Sequence, residues 1–255
     1  MPSKSSTAIA AMEFTTGRVA VGVLEQAHLI NSTLPPTVRF LDVASGGGVV
    51  TSKFISLNGA HGLENCDWHA KCLDYDDKMT ETALAKPELQ AGNVEIKKGD
   101  IQTLPYSDGE FTHAVWNFGP QTIKGDSIKA FTEIHRTLQS GGTLAFSVWT
   151  KPGWQTSIES IKPDFQKPPP LHAWTDPTEI HTKLENIGFH SVQIVAFQFD
   201  TEEKDADEYL ENLFFLLPMS AEFKQEYSDH VREVVRREGN WKLTWKANIV
   251  VAIKA

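Results

Sequence analysis

Short continuous apolar runs alternate along this chain with longer stretches in which apolar residues fall at helical spacing. Runs rich in branched and aromatic side chains predict strands at 38–43, 72–74, 94–96, 111–118 and 143–149, and two more at 192–199 and 249–253. Between them lie helical patterns. Val19, Val23, Leu24, Ala27 and Ile30 share one face over 18–30, and further helices are predicted over 49–58, from Asp77 onward, and over 126–138. Residues 59–68 read as an irregular connection, and residues 1–12, small and polar, as a frayed arm. Strands separated by helices at this cadence predict an α/β fold whose mostly parallel sheet is covered on both faces.

The cadence breaks after the fifth strand. Residues 151–171 are rich in proline and predict a loop with one helical turn near 156–161. Asp176, Pro177 and Glu179 then supply a capping acid, a proline at the first helical position and a glutamate three residues after the cap, while Gly188 supplies the stop. Helices over 209–217 and 222–237 precede the last strand.

Composition narrows the function classes. The chain has 255 residues, 40% hydrophobic and 22% charged, which suits a single domain. Lysine and arginine number 24 against 33 acids, a net charge of −9, so a nucleic-acid partner is not expected. Cys66 and Cys72 form neither a metal-ligand pattern nor a disulfide framework, which suits a reducing compartment. With no apolar leader at the start and no run of ~18 apolar residues, the expectation is a cytoplasmic protein with no membrane partner and no metal.

The candidate chemistry starts at Gly46, Gly47 and Gly48, between the first strand and the next helix. Glycine there permits positive φ and lets a ligand lie against bare backbone near the free N–H groups of the helix. A dinucleotide-binding turn needs a third glycine where Thr51 stands, which argues against a dehydrogenase. Asp42, just before the turn, sits poorly beside pyrophosphate but suits an ammonium group. S-adenosylmethionine carries such a group, with a ribose diol, an adenine and no phosphate.

These residues resemble a known family. The stretch from Leu41 to Gly48 is similar to the first motif of class I S-adenosylmethionine-dependent methyltransferases, and Cys72 to Met79 resembles the acidic end of their second strand. Gly99 to Pro105 and 111–118 resemble their third and fourth strand signatures, and Lys129 to Leu144 the helix and glycine turn before the fifth. Within that class, the segment from Asn117 to Gln121 and the C-terminal layout resemble small fungal secondary-metabolism methyltransferases of the gliotoxin thiol methyltransferase type. The resemblance implies a Rossmann-like, seven-stranded, mostly parallel sheet with a helical substrate lid. It implies one domain, 1–255, with a cofactor core at 38–149 and substrate-covering elements at 13–34, 151–174 and 205–240.

The resemblance also implies roles. Asp42 and the backbone of Ala44, Ser45, Gly46 and Gly48 would hold the methionine end of S-adenosylmethionine. Asp74 would take the ribose hydroxyls, with Asp76 competing for that role, and Tyr75 and Met79 would flank the adenine. Asp100 would take the adenine amino group and the Ile101 backbone a ring nitrogen, while Asn117 and Phe118 would face the methionine and the acceptor. Ala44 departs from the glycine more usual in the family, and the gap from Gly48 to Asp74 is longer than usual.

Several of these side chains also have plainer readings. Asp100 can cap a turn, His113 reads as a packed, hydrogen-bonded histidine rather than a base, and Trp149, Trp154 and Trp174 can be core or a flat substrate wall. Methyl transfer from a sulfonium is an in-line displacement governed by positioning, so no catalytic dyad is expected and none is legible. The expected function is methylation at oxygen, sulfur or nitrogen of a small, secondary-type metabolite by a monomer or homodimer. The competing expectation is a non-methylating binding or regulatory partner built on the same fold.

Overall fold

Strand β1 (Thr37–Val43) is buried along most of its length because it takes a parallel partner on each side, β2 (Asp67–Asp74) and β4 (Phe111–Asn117). β3 (Val94–Lys98) lies outside β2, and β5 (Leu138–Lys151) outside β4. Two antiparallel strands, β6 (Phe189–Glu203) and β7 (Trp241–Lys254), complete a seven-stranded sheet in the order β3-β2-β1-β4-β5-β7-β6. From β1 the chain runs outward through β2 and β3, then returns to β4 on the other side. That reversal opens a crevice beyond the carboxyl ends of β1 and β4, where open α/β sheets place ligands.

The computed structural model describes residues 4–30, 34–165, 172–217 and 219–255. Successive residues of β4 point to opposite faces, so Val115 joins one core and Ala114 and Trp116 the other. On the first face, α1 (Lys4–Gln26) and α2 (Val49–Leu63) bury Val19, Val23, Leu24 and Phe54 against Phe40. On the second, α4 (Ser127–Thr137) and α6 (Pro177–Ile187) bury Phe131, Ile134, Ile180 and Leu184. α3 (Asp77–Leu84) follows β2. A third core gathers α5 (Gly153–Ile161), α7 (Ala206–Leu216) and α8 (Ala221–Glu238) around Trp154, Tyr209, Tyr227 and Trp241.

Local chemistry explains the element ends. Asp76, Asp126, Asp176 and Asp205 each accept backbone N–H groups at the start of α3, α4, α6 and α7, satisfying donors that the helix itself leaves unpaired. Gly188 ends α6 at φ 112, as a left-handed stop requires.

Four segments depart from the expected pattern. The arm is helical from Lys4, since Ala8, Ala10 and Ala11 favour helix and lead directly into the buried face of α1; residues 1–3 lie outside the described set. α2 continues to Leu63 across a kink at Gly59, and β2 already begins at Asp67, where the Arg39 guanidinium donates to the Asp67 carboxylate at 2.6 Å and to its carbonyl at 2.8 Å. α5 is a nine-residue helix rather than one turn because Trp154 and Ile158 bury their side chains in the third core; 166–171, the proline-rich stretch, lies outside the described residues. β6 and β7 are much longer than their apolar segments. Charged residues such as Glu202, Lys242 and Lys246 alternate with buried ones there, which masks a strand pair running from Phe189 opposite Lys254 to Glu203 opposite Trp241.

Candidate active site

Parallel pairing brings the ends of β1, β2 and β3 to one edge, with Val43 opposite Leu73 and Asp74 opposite Lys98. Beyond them lies a cavity of about 590 Å³, within the usual range for a small-molecule site. Ala44, Gly46, Asp74, Tyr75, Met79, Asp100 and Ile101 all lie on its wall.

Asp74 straps the glycine turn to the neighbouring strand. One carboxylate oxygen accepts the Gly46 N–H at 2.7 Å and the other the Asp76 N–H at 2.9 Å. Asp76 also lines the cavity, but one of its oxygens is occupied by the Lys78 and Met79 N–H groups at the start of α3. Asp100 caps a single 3-10 turn, accepting from the Gln102 backbone at 2.8 Å while standing on the cavity wall. Gly46 has φ 55, and a Cβ built there meets no atom within 4 Å, so bare backbone faces open space. Ala44 adopts φ 49, the left-handed conformation for which glycine is the commoner residue. Tyr75 presents a ring that is 72% exposed beside Asp74.

Other expected residues shape the site from behind. Asp42 is 1% exposed and absent from the cavity wall; one oxygen accepts the Thr51 N–H at 3.1 Å and the Thr51 hydroxyl at 2.7 Å, so it pins the start of α2 instead of meeting an ammonium group directly. Burial pushes its carboxyl up to about 7. Ser45 is buried and donates its N–H to the Leu73 carbonyl, and a Cβ on Gly48 would stand 2.5 Å from Leu89, so this glycine serves close packing. Asn117 turns toward α1: its amide donates to the Thr16 carbonyl at 3.2 Å and its oxygen accepts the Ser147 hydroxyl at 2.6 Å.

The three tryptophans part company. Trp149 is half-buried and stacks on Phe118 with centroids 3.9 Å apart, Phe118 itself holding φ 59. Trp154 belongs to the third core and is 9% exposed. Trp174 is not a substrate wall: it is 1% exposed, lies 4.4 Å from the Phe131 ring centroid, and donates its indole N–H to Ser127 at 3.1 Å, so α4 and α6 close over it. His113 is buried with Nδ1 2.8 Å from the Thr112 hydroxyl, and burial together with His28 depresses it to about 4, which keeps it neutral and packed.

Some site residues were not foreseen. α1 lays Glu13 over the glycine turn, its carboxylate 2.2 Å from where a Cβ on Gly47 would stand, and Lys86 donates to both of its oxygens at 2.9 Å. No motif marks that pair. Gln121 accepts the Trp149 N–H at 2.7 Å and donates to the Trp149 carbonyl at 2.9 Å, fixing the short turn after β4; its place in the strand-end segment was a usable signal. Gly119 on the cavity wall is tighter still, since a Cβ there would fall 1.2 Å from the Trp116 indole nitrogen.

The donor set tests the expected cofactor. Three carboxylates (Asp74, Asp76 and Asp100), an exposed aromatic ring, and the apolar Met79 and Ile101 make a wall suited to the hydroxyl and amino donors of a nucleoside. Among the described residues Lys124 is the single basic side chain on that wall, so a pyrophosphate would find little compensation there. The residues fit S-adenosylmethionine. Among the described residues, no cluster of three or more histidine, cysteine or acidic side chains is arranged to hold a metal ion, and no helix is long and apolar enough to cross a membrane.

Comparison with known proteins agrees with this geometry. Residues 41–146 match a family model described as a methyltransferase domain. The methyltransferase ktnA of Aspergillus niger is 28% identical over 185 residues, 61% of this chain and 60% of that protein. An acetylaranotin bis-thiomethyltransferase of Aspergillus terreus is 25% identical over 72% of this chain and 65% of its own length. A ubiquinone/menaquinone biosynthesis C-methyltransferase of Ectopseudomonas mendocina is 30% identical over 48% of this chain and 46% of its own length. The matches thus span less than two thirds of each of these relatives. Among solved structures, the YcgJ protein of Bacillus subtilis superposes with a TM-score of 0.62 at 15% identity, covering 93% of this chain and 98% of that one. The phosphoethanolamine N-methyltransferase 2 of Haemonchus contortus, solved with S-adenosyl-L-methionine, gives a TM-score of 0.53 at 16% identity over 93% of this chain and 52% of that one. Sheet order, a cavity bounded by strand-end acids and a glycine turn, and the methyltransferase-domain match over residues 41–146 together make this chain similar to the class I S-adenosylmethionine-dependent methyltransferases.

Proposed function

We propose that this protein binds S-adenosylmethionine in the cavity beyond β1 to β4 and moves its methyl group to oxygen, sulfur or nitrogen of a small metabolite. One observation supports the reading above all. Asp74 at the end of β2 and Asp100 just after β3 stand on one cavity wall with Gly46, whose backbone faces open space. Asp74 would accept from the ribose hydroxyls and Asp100 from the adenine amine, with Tyr75 and Met79 beside the ring. The bound cofactor supplies an electrophilic methyl on a sulfonium; the acceptor gains the methyl and releases a proton, and S-adenosylhomocysteine remains. The protein's part is to hold the reactants in line and exclude water. Glu13 lies over the glycine turn, paired with Lys86, and Asn117 ties α1 to the end of β4 through the Thr16 carbonyl.

The names of the Aspergillus relatives support a secondary-metabolite acceptor, and that of the bis-thiomethyltransferase supports sulfur in particular. The C-methyltransferase relative makes carbon the competing acceptor atom. Isothermal titration with S-adenosylmethionine tests the cofactor site: affinity should fall at least about tenfold in both Asp74→Ala and Asp100→Ala. No binding by the wild type, or unchanged binding in both variants, would overturn it. Labelled cofactor incubated with the protein and a metabolite extract would then give the product and the methylated atom.

A further inference from the structure

Arg18 stands apart from the other arginines. Arg39, Arg136, Arg232, Arg236 and Arg237 each contact a carboxylate, at distances between 2.6 and 2.8 Å for the closest oxygen. In a chain of 33 acids with a net charge of −9, such pairing is the expected state. Arg18 is exposed and, among the described residues, has no carboxylate partner and no hydrogen-bond acceptor. Its guanidinium is held by two rings instead, 4.9 Å from the Phe14 centroid and 5.7 Å from that of Phe199. Contacts of this kind orient a guanidinium without using its N–H donors.

Those rings end a band that starts at the cofactor cavity. Gly119 lines the cavity, and Phe118 beside it stacks on Trp149; Trp149 meets Trp245 at 5.3 Å, and Trp245 lies parallel to Phe199 at 6.1 Å. The band therefore runs from the site of the reactive methyl, on the proposed reading, to a cation whose donor fork meets no acceptor among the described residues. A flat apolar body suits the rings and a planar anion suits the fork. A single guanidinium balances the one charge of a carboxylate and would leave the second charge of a phosphate monoester uncompensated.

We propose that Arg18 selects an acceptor bearing a carboxylate on a flat aromatic body, the guanidinium taking both carboxylate oxygens while the ring lies along Phe14, Phe199 and Trp149. Calling this ligand the acceptor rests on the methyl-transfer reading; the anion subsite does not. The test is calorimetric titration of the full chain with 3-hydroxy-2-naphthoate and with its neutral carboxamide, alongside S-adenosylhomocysteine, in wild type and in Arg18→Gln. The wild type should bind the acid at least about tenfold more tightly than the amide, and Arg18→Gln should bind the two equally while binding S-adenosylhomocysteine as wild type does. Equal affinities in the wild type, binding of neither compound, or a preference that survives Arg18→Gln would overturn the proposal. A preference for the acid that depends on Arg18, in a protein that does not bind S-adenosylhomocysteine, would uphold the subsite and defeat the methyl-transfer reading alone.

Discussion

The parallel half of the sheet and the antiparallel end treat their polar groups in opposite ways. At the ends of β2 and β3, Asp74, Asp76 and Asp100 satisfy backbone N–H groups of the adjoining turns while keeping a face toward the cavity. Around β7, the hydroxyls of Tyr209 and Tyr227 lie 2.8 Å apart, and Tyr227 also bonds the Ser157 hydroxyl, all inside a core of tryptophan, leucine and valine. Burial pushes both phenols above their ordinary range. The difference teaches that a polar residue is left facing a cavity when the backbone positions it at an edge, and serves the fold when other side chains enclose it.

That contrast can be broken experimentally. The largest effect is expected from Gly119→Ala, because the added methyl would collide with a fully buried Trp116; a loss of about 3 kcal/mol or more in urea unfolding is expected. A stability near wild type would mean that the strand end yields more easily than its packing implies.

Asp42→Asn comes next and depends on pH. The folded-state value of about 7 lies above the ordinary 3.8, so the folded protein keeps a proton that the unfolded chain has released. The stability that this proton contributes is whole below pH 3.8 and is lost as pH rises through 7. Asparagine still accepts from Thr51 without titrating, so the variant should gain on the order of 3–4 kcal/mol over wild type between pH 4 and pH 8. Melting curves at the two pH values check this, and a gap that stays constant would show that the carboxyl does not titrate in that window.

Two smaller effects sharpen the comparison by separating the halves. Asp74→Ala should cost about 2 kcal/mol of cofactor binding, roughly thirtyfold in affinity, with little change in the melting of the third core. Tyr227→Phe should do the reverse, since it leaves Ser157 and Tyr209 each short of a partner: about 1–2 kcal/mol of stability lost by denaturant titration, with S-adenosylmethionine affinity unchanged. If Tyr227→Phe weakened cofactor binding as much as stability, the two halves would be one cooperative unit.

Legibility follows the same division. The glycine turn, the acids at 74 and 100 and the cap at Asp176 depend on backbone rules confined to a few neighbouring residues, and each lies where those rules put it. Trp174 and Asp42 misled because their types are right for a site while their orientation is set by α4, distant in sequence, and by α2, one turn away. Glu13 was silent for the same reason: residues 73 apart meet when α1 folds back over the turn to reach Lys86. The β6–β7 pair was underread because alternating charge hides a strand whose other face is buried by α5, α7 and α8.

What the sequence by itself determined was the alternation of strands and helices, the reversal-prone glycine turn and the acids at two strand ends, all local consequences of side-chain period, φ freedom and capping. What the tertiary structure alone decided was which polar groups face the cavity. Asp74 and Asp100 do, Asp42 does not, and Arg18 has, among the described residues, two rings and no carboxylate, because those outcomes depend on which distant element arrives to enclose or to spare each side chain.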